Sequence, residues 1–271
     1  IGALVLFYRL TAQHFDDASA RRAVVYLLIF PTGFFLFAAY TESLFIFFVL
    51  AMFDAAERAQ WGRASVWGAF AALTRLQGVL LVIPLSWMLL KPFFTERNVS
   101  TYLKLWGGEF PFYIVKVRLP GLIPLATILY LLLTNFSLFS TYEGELHARF
   151  VLPWDNFAAM FALIANARAS WIDWINLVAT ILFAGMVALA WRRVPYAYGM
   201  FVALMWLAPL LRMTTTQPLV SMARYALALF PVFMLWGVWG KNAWINRAIL
   251  YLAFPLNLFF SAQFVMWGWV G

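Results

Sequence analysis

The chain has no cysteine, which removes disulfides, thiolate nucleophiles and cysteine metal sites from consideration. It has only two histidines, His14 and His147, too far apart in sequence to begin a histidine metal cluster. Charge is scarce as well: 11% of the residues are charged, against 65% hydrophobic. A soluble domain of this size needs a more polar surface than that. Internal repeats, low-complexity tracts and a separate polar domain are also missing. What remains is the composition of a polytopic membrane protein, all-α because only helices satisfy their own backbone in lipid without closing a barrel. The net charge of +8 then reads as positive-inside bias rather than as affinity for nucleic acid.

Apolar runs cover residues 23–39, 43–56, 64–73, 77–90, 119–136, 174–191, 196–211, 224–240 and 248–267. These predict a single transmembrane domain, 1–271, with about nine full spans and a partial one at residues 1–10. Residues 155–167 are apolar but short, as in a re-entrant or interfacial helix. The chain opens at Ile1 inside an apolar run, so the expectation is a fragment whose first span lies upstream. Thr74 and Arg75 divide two short runs; Arg75 lies either within one long helix or at a turn at the membrane surface. Glu42 is a lone carboxylate between two apolar runs, flanked by Tyr40, Thr41 and Ser43. An ionisable group at such a place is a functional candidate, because its desolvation must be offset. A short polar turn with a solvated Glu42 is the plain alternative.

Sidedness follows from counting basic residues. With 91–118 in the cytoplasm and alternating spans, the connectors 9–22, 57–63, 192–193 and 241–247 also fall inside. They gather 14 of the 19 Lys and Arg, as the positive-inside rule requires if 155–167 does not cross. The other side keeps Arg75, Arg149, Arg168, Arg212 and Arg224, together with Glu42, Glu143, Glu145, His147, Asp155 and Asp173. Nearly every unusual polar residue is therefore expected on the extracytoplasmic face. Snorkelling to headgroups is the ordinary role of an arginine at a helix end, and it suits Arg168 best. Arg75 and Arg224 lie deep in apolar sequence and are better functional candidates.

Three stretches carry a resemblance. The first is Phe30-Pro31-Thr32-Gly33-Phe34-Phe35 through Tyr40-Thr41-Glu42-Ser43-Leu44-Phe45. The second is Ala72-Leu73-Thr74-Arg75-Leu76-Gln77-Gly78-Val79, and the third is Ser221-Met222-Ala223-Arg224-Tyr225 followed by Phe230-Pro231. In order and spacing they resemble the PIG-V group, the GPI mannosyltransferase 2 family and its bacterial relatives. Leu76 and Ala223 depart from that pattern, standing where relatives often carry proline. The resemblance implies a GT-C-like bundle and inverting mannosyl transfer from a polyprenyl-phosphate-mannose donor to a lipid-linked or glycan acceptor. It implies no cofactor and no metal, in keeping with the absence of an Asp-x-Asp pair. It also implies a catalytic carboxylate in a first extracytoplasmic loop, ahead of Ile1. Arg75 and Arg224, with Arg212 in reserve, would hold the lipid phosphate, and Tyr225 adjoins them. Glu42, with Thr41 and Tyr40, would bind sugar or acceptor hydroxyls or orient an arginine. Glu143, Glu145 and His147 would lie on a loop closing over the acceptor, solvated loop charge being the alternative. The expected partners are that donor, the acceptor and membrane lipids. The expected location is a multi-pass membrane protein, bacterial cell membrane before endoplasmic reticulum. A lipid or lipid-oligosaccharide transporter, or a non-catalytic subunit of a membrane enzyme complex, is the competing class.

Overall fold

The computed structural model describes residues 1–95, 118–137, 148–214, 217–266 and 268, and they are mostly helical. Helix α1 (Gly2–His14) leads into α2 (Asp17–Ile29), whose start is capped by Asp16: its carboxylate accepts the Ser19 N–H at 2.8 Å. α2 stops at Ile29 because Pro31 cannot donate a helical hydrogen bond and holds Phe30 extended at φ −53°, ψ 143°. The Phe30 carbonyl accepts the Gly33 N–H at 2.7 Å and the Asn257 side-chain amide at 2.6 Å. A 3-10 turn (Gly33–Leu36) follows, folded so tightly onto the end of α2 that a Cβ at Gly33 would collide with the Leu28 carbonyl.

Next come α3 (Glu42–Glu57), α4 (Trp61–Thr74), α5 (Val82–Thr95) and α6 (Leu122–Leu133). Strand β1 (Ala148–Phe150) precedes α7 (Pro153–Ala165), α8 (Trp171–Arg193) and α9 (Tyr196–Leu210). Strand β2 (Arg212–Thr214) precedes α10 (Met222–Tyr225), α11 (Phe230–Trp239) and α12 (Ala243–Val265). The two strands pair antiparallel, Arg149 opposite Met213, a small ribbon that an all-helical reading did not anticipate.

The closest helix partnerships are α3 with α4, α2 with α11, α4 with α6, α1 with both α2 and α3, and α8 with α9. Their shared core is aromatic. Phe7, Phe53, Phe201 and Tyr198 surround Phe230 edge-on or tilted, with centroids 5.3–6.2 Å apart, and all five are fully buried. Such pairs add roughly 0.5–1.5 kcal/mol each beyond the area they bury.

The expectation of nine full spans is not met. Among the described residues two helices, α8 and α12, are long and apolar enough to cross a membrane; Met222–Ala228, which is α10 and the 3-10 turn after it, and α11, bent by 79° at their junction, make a third if taken as one span. The remaining apolar runs are cut short. Pro31 and Gly33 end the first, and Arg75 breaks the pair on either side of it. α3, the longest of these helices at 16 residues, reaches only about 24 Å at 1.5 Å per residue. The stretch at 155–167 is a discrete helix of 13 residues, ended by Ala167 at positive φ.

Candidate functional site

Three interruptions in the helices meet at one place. Glu42 opens α3 and is 2% exposed. Arg75 follows the last residue of α4 in extended conformation, φ −150°, ψ 132°, after which the chain turns into a 3-10 segment (Leu76–Leu81). Of the two readings of Arg75, the turn is the one observed. The reversal depends on Gly78: its N–H donates to the Arg75 carbonyl at 2.7 Å, and a Cβ there would sit 2.6 Å from the Ala72 backbone. Arg224 lies in α10, a single helical turn that begins after the left-handed Ser221 (φ 62°) and runs on as a 3-10 turn (Ala226–Ala228) to the bend before α11.

Arg75 Nη2 and Arg224 Nε both donate to Oε1 of Glu42. The arginine side chains are 12% and 18% exposed, so the triad is largely removed from water. Arg75 Nε also donates to the Thr41 hydroxyl, 3.1 Å away. Each guanidinium lies against aromatic faces. Arg224 is 4.6 Å from the Tyr40 ring centroid and 5.0 Å from that of Phe35, and Arg75 is 5.5 Å from Tyr225. Rings so placed lend cation–π attraction and fix the guanidinium planes.

Two cations face one carboxylate, and the pairing is lopsided. Oε2 of Glu42 is buried with no hydrogen-bond partner among the described residues. Nη1 of Arg75 and both Nη atoms of Arg224 likewise take no protein acceptor there. A buried carboxylate oxygen left open is costly and calls for an explanation. The cluster offers donors to an anion and an acceptor to a hydroxyl, side by side.

Of the residues singled out from sequence, Tyr40, Thr41, Glu42, Arg75, Arg224 and Tyr225 are brought together. Arg212 is not; it sits in β2 opposite Phe150 and is not a partner of Glu42. Glu143, Glu145 and His147 lie outside the described residues. Asp155 and Asp173, expected on the same face, are committed locally. They accept the N–H groups of Leu152 and Ser170 at 2.9 and 2.8 Å, closing the first turns of α7 and α8. No group of three or more His, Asp or Glu able to share a metal ion occurs among the described residues.

Sequence reasoning missed three buried polar residues. Thr32 donates its hydroxyl to the Ala223 carbonyl (2.9 Å), and Asn176 accepts the Ala223 N–H (3.2 Å). Asn156 holds the loop ahead of α10 by donating to the Leu210 and Arg212 carbonyls and accepting the Leu219 N–H. That loop carries two residues in the left-handed region, Leu219 and Ser221, each costing roughly 1–2 kcal/mol.

The other end of the bundle holds a second polar set. Asp54 pairs with Arg9 and Arg58, and His14 Nε2 lies 3.3 Å from Glu57 and 3.2 Å from the Tyr198 hydroxyl. Lys241 meets Asp16 at 2.9 Å. Arg9, His14, Asp16, Glu57, Arg58 and Lys241 come from the connectors that the charge count expects in the cytoplasm, whereas Asp54 and Tyr198 lie in the adjoining apolar runs.

No family model, curated protein or solved structure matches the chain.

Proposed function

We propose that the Glu42–Arg75–Arg224 cluster is the donor-phosphate site of a multi-pass membrane glycosyltransferase. Its reaction is inverting mannosyl transfer from polyprenyl-phosphate-mannose to a lipid-linked or glycan acceptor on the extracytoplasmic face. The observation that carries this reading is the convergence of three distant stretches into one buried carboxylate with two arginines whose outer donors are uncommitted among the described residues. Those stretches are also the ones that resemble the PIG-V group.

In this reaction an acceptor hydroxyl attacks the anomeric carbon while the bond from that carbon to the phosphate oxygen breaks. Negative charge grows on the departing lipid phosphate, and guanidinium donors stabilise it. Nη1 of Arg75 and both Nη atoms of Arg224, open among the described residues, suit that task. Glu42 orients both arginines through Oε1 and presents Oε2 to a sugar or acceptor hydroxyl. The acceptor proton goes to a general base within hydrogen-bond reach, which we do not assign to a described residue.

The test is transfer of radiolabelled mannose from polyprenyl-phosphate-mannose by the protein in membranes. Arg75→Ala and Arg224→Ala are each expected to lower kcat/KM by about 100-fold or more, the usual effect of removing a transition-state donor. Unchanged turnover in both variants overturns the assignment.

One observation favours a second reading. The 79° bend between α10 and α11 is the kind of broken helix that lines transport sites. A lipid transporter built this way moves labelled lipid across proteoliposomes and transfers no sugar.

A further inference from the structure

Arg224 has no long helix to hold it. Its segment is one α-helical turn continued by a 3-10 turn (Ala226–Ala228), entered through two residues in left-handed conformation and left through a sharp bend after Ala228. A segment so short does not keep its own shape in water. Yet its guanidinium has to meet Glu42, which is anchored on a different element. Something outside the turn must therefore set its position.

The hydrogen bonds around Ala223 identify that support. The Ala223 N–H belongs to the peptide group before it, and the Ala223 carbonyl to the peptide group shared with Arg224. Asn176, on the first turns of α8, takes the first at 3.2 Å; Thr32, beside Pro31, supplies a donor to the second at 2.9 Å. Thr32 is fully buried and Asn176 is 6% exposed, so water does not substitute for either contact. The elements that carry them are themselves fixed. Asn176 belongs to a 23-residue helix capped by Ser170 and Asp173, and Thr32 follows the α2 terminus tied to Asn257.

We propose that Thr32 and Asn176 are positioning residues for Arg224, clamping the peptide groups on both sides of Ala223 so that the guanidinium reaches Glu42 with its outer donors open. This rests on the anion-binding reading of Arg224, but it makes a claim of its own about coupling between residues. Thr32 sits on the 30–45 stretch and Ala223 on the 221–225 stretch. The clamp therefore joins two of the three segments by a contact that is independent of the Glu42 ion pair.

The protein reconstituted in nanodiscs provides two readouts: binding of a fluorescent polyprenyl phosphate, and the thermal midpoint. Thr32→Val and Asn176→Leu are each expected to weaken binding about tenfold. Thr32→Ser, which keeps the hydroxyl, and Asn176→Asp, which keeps the acceptor, are expected to stay within threefold of the parent. In a double-mutant cycle, the midpoint loss from Thr32→Val is expected to shrink by half or more in an Arg224→Gln background, because the clamp then has no guanidinium to place. Additive midpoint losses in the Thr32 and Asn176 cycles overturn the proposal and leave both residues as ordinary buried polar groups. Equal weakening by Thr32→Ser and Thr32→Val overturns it too, since the hydroxyl is then irrelevant. Failure of mannosyl transfer is a separate result: a parent protein that transfers no mannose but shows the coupling retains the clamp and loses the enzymatic reading.

Discussion

Glu42 uses one oxygen for two guanidiniums, so its removal has two effects of opposite sign. Glu42→Gln leaves two arginines facing each other in a site that is mostly shielded from water. Breaking a buried ion pair from one side usually costs about 3–5 kcal/mol, and a loss toward the lower end is expected in the thermal midpoint because the arginines retain some exposure. The same substitution removes the one carboxylate that, among the described residues, pairs with both arginines and so competes with an incoming phosphate. Inorganic phosphate is therefore expected to raise the midpoint of the Glu42→Gln protein more than that of the parent. A smaller or equal rise contradicts the anion-binding reading of the cluster. Gly78 is the other residue on which the site depends. Gly78→Ala places a Cβ 2.6 Å from the Ala72 backbone, and only a shift of the chain relieves it. Overpacking of this kind costs about 1–3 kcal/mol. Because the shift moves Arg75, polyprenyl-phosphate binding is expected to fall with stability, and unchanged binding and midpoint would show that the turn adjusts freely.

At the level of elements, α2 gives a pH dependence with a defined sign. Lys241 and the Ser19 N–H both donate to Asp16 and hold its carboxyl well below its ordinary value of 3.8. A carboxyl depressed in the fold stabilises above its unfolded value and loses that contribution as the pH falls through its folded value. The α2 start is therefore expected to remain closed down to about pH 4 and to loosen progressively below it. Amide exchange at Ser19 and Ala20 reports this, and Lys241→Ala is expected to move the loosening to higher pH. An exchange profile indifferent to Lys241 would deny the contact any part in holding the helix start. The elements also show where hydropathy misleads. The apolar run continues past Pro31 and Gly33 with only the uncharged Thr32 between them, so it looks like a single span. The helix ends there because Pro31 lacks a donor and Gly33 fits only without a side chain.

Taken as a whole, the molecule was partly legible from its charges. A lone carboxylate and two lone arginines in apolar sequence need partners, and scarcity left few candidates; the meeting of Glu42 with Arg75 and Arg224 follows from that need. Thr32, Asn156 and Asn176 gave no such signal. An uncharged polar residue in an apolar run has no charge to balance, and its purpose emerges only when the backbone it serves is placed beside it. The sorting of polar residues to two ends gives a prediction for the entire fold. The chain has no cysteine, so single introduced thiols are readable without background. Ala39→Cys and Gln60→Cys both replace exposed residues, near opposite ends of α3. A membrane-impermeant maleimide is expected to label position 39 in intact cells and position 60 only after permeabilisation. Labelling of both from one side would refute the orientation drawn from the charge count.

α3 carries an ion-paired carboxylate near each end: Glu42 between Arg75 and Arg224, and Asp54 held to α1 by Arg9, with Arg58 at the end of α3 itself as its second partner. The two are twelve residues apart, about 18 Å along the axis. A strut moored at both ends can neither slide as a piston nor roll about its length without parting ion pairs at both moorings. In any movement of the elements around the Glu42 cluster, α3 is therefore expected to stay still while its neighbours shift about it.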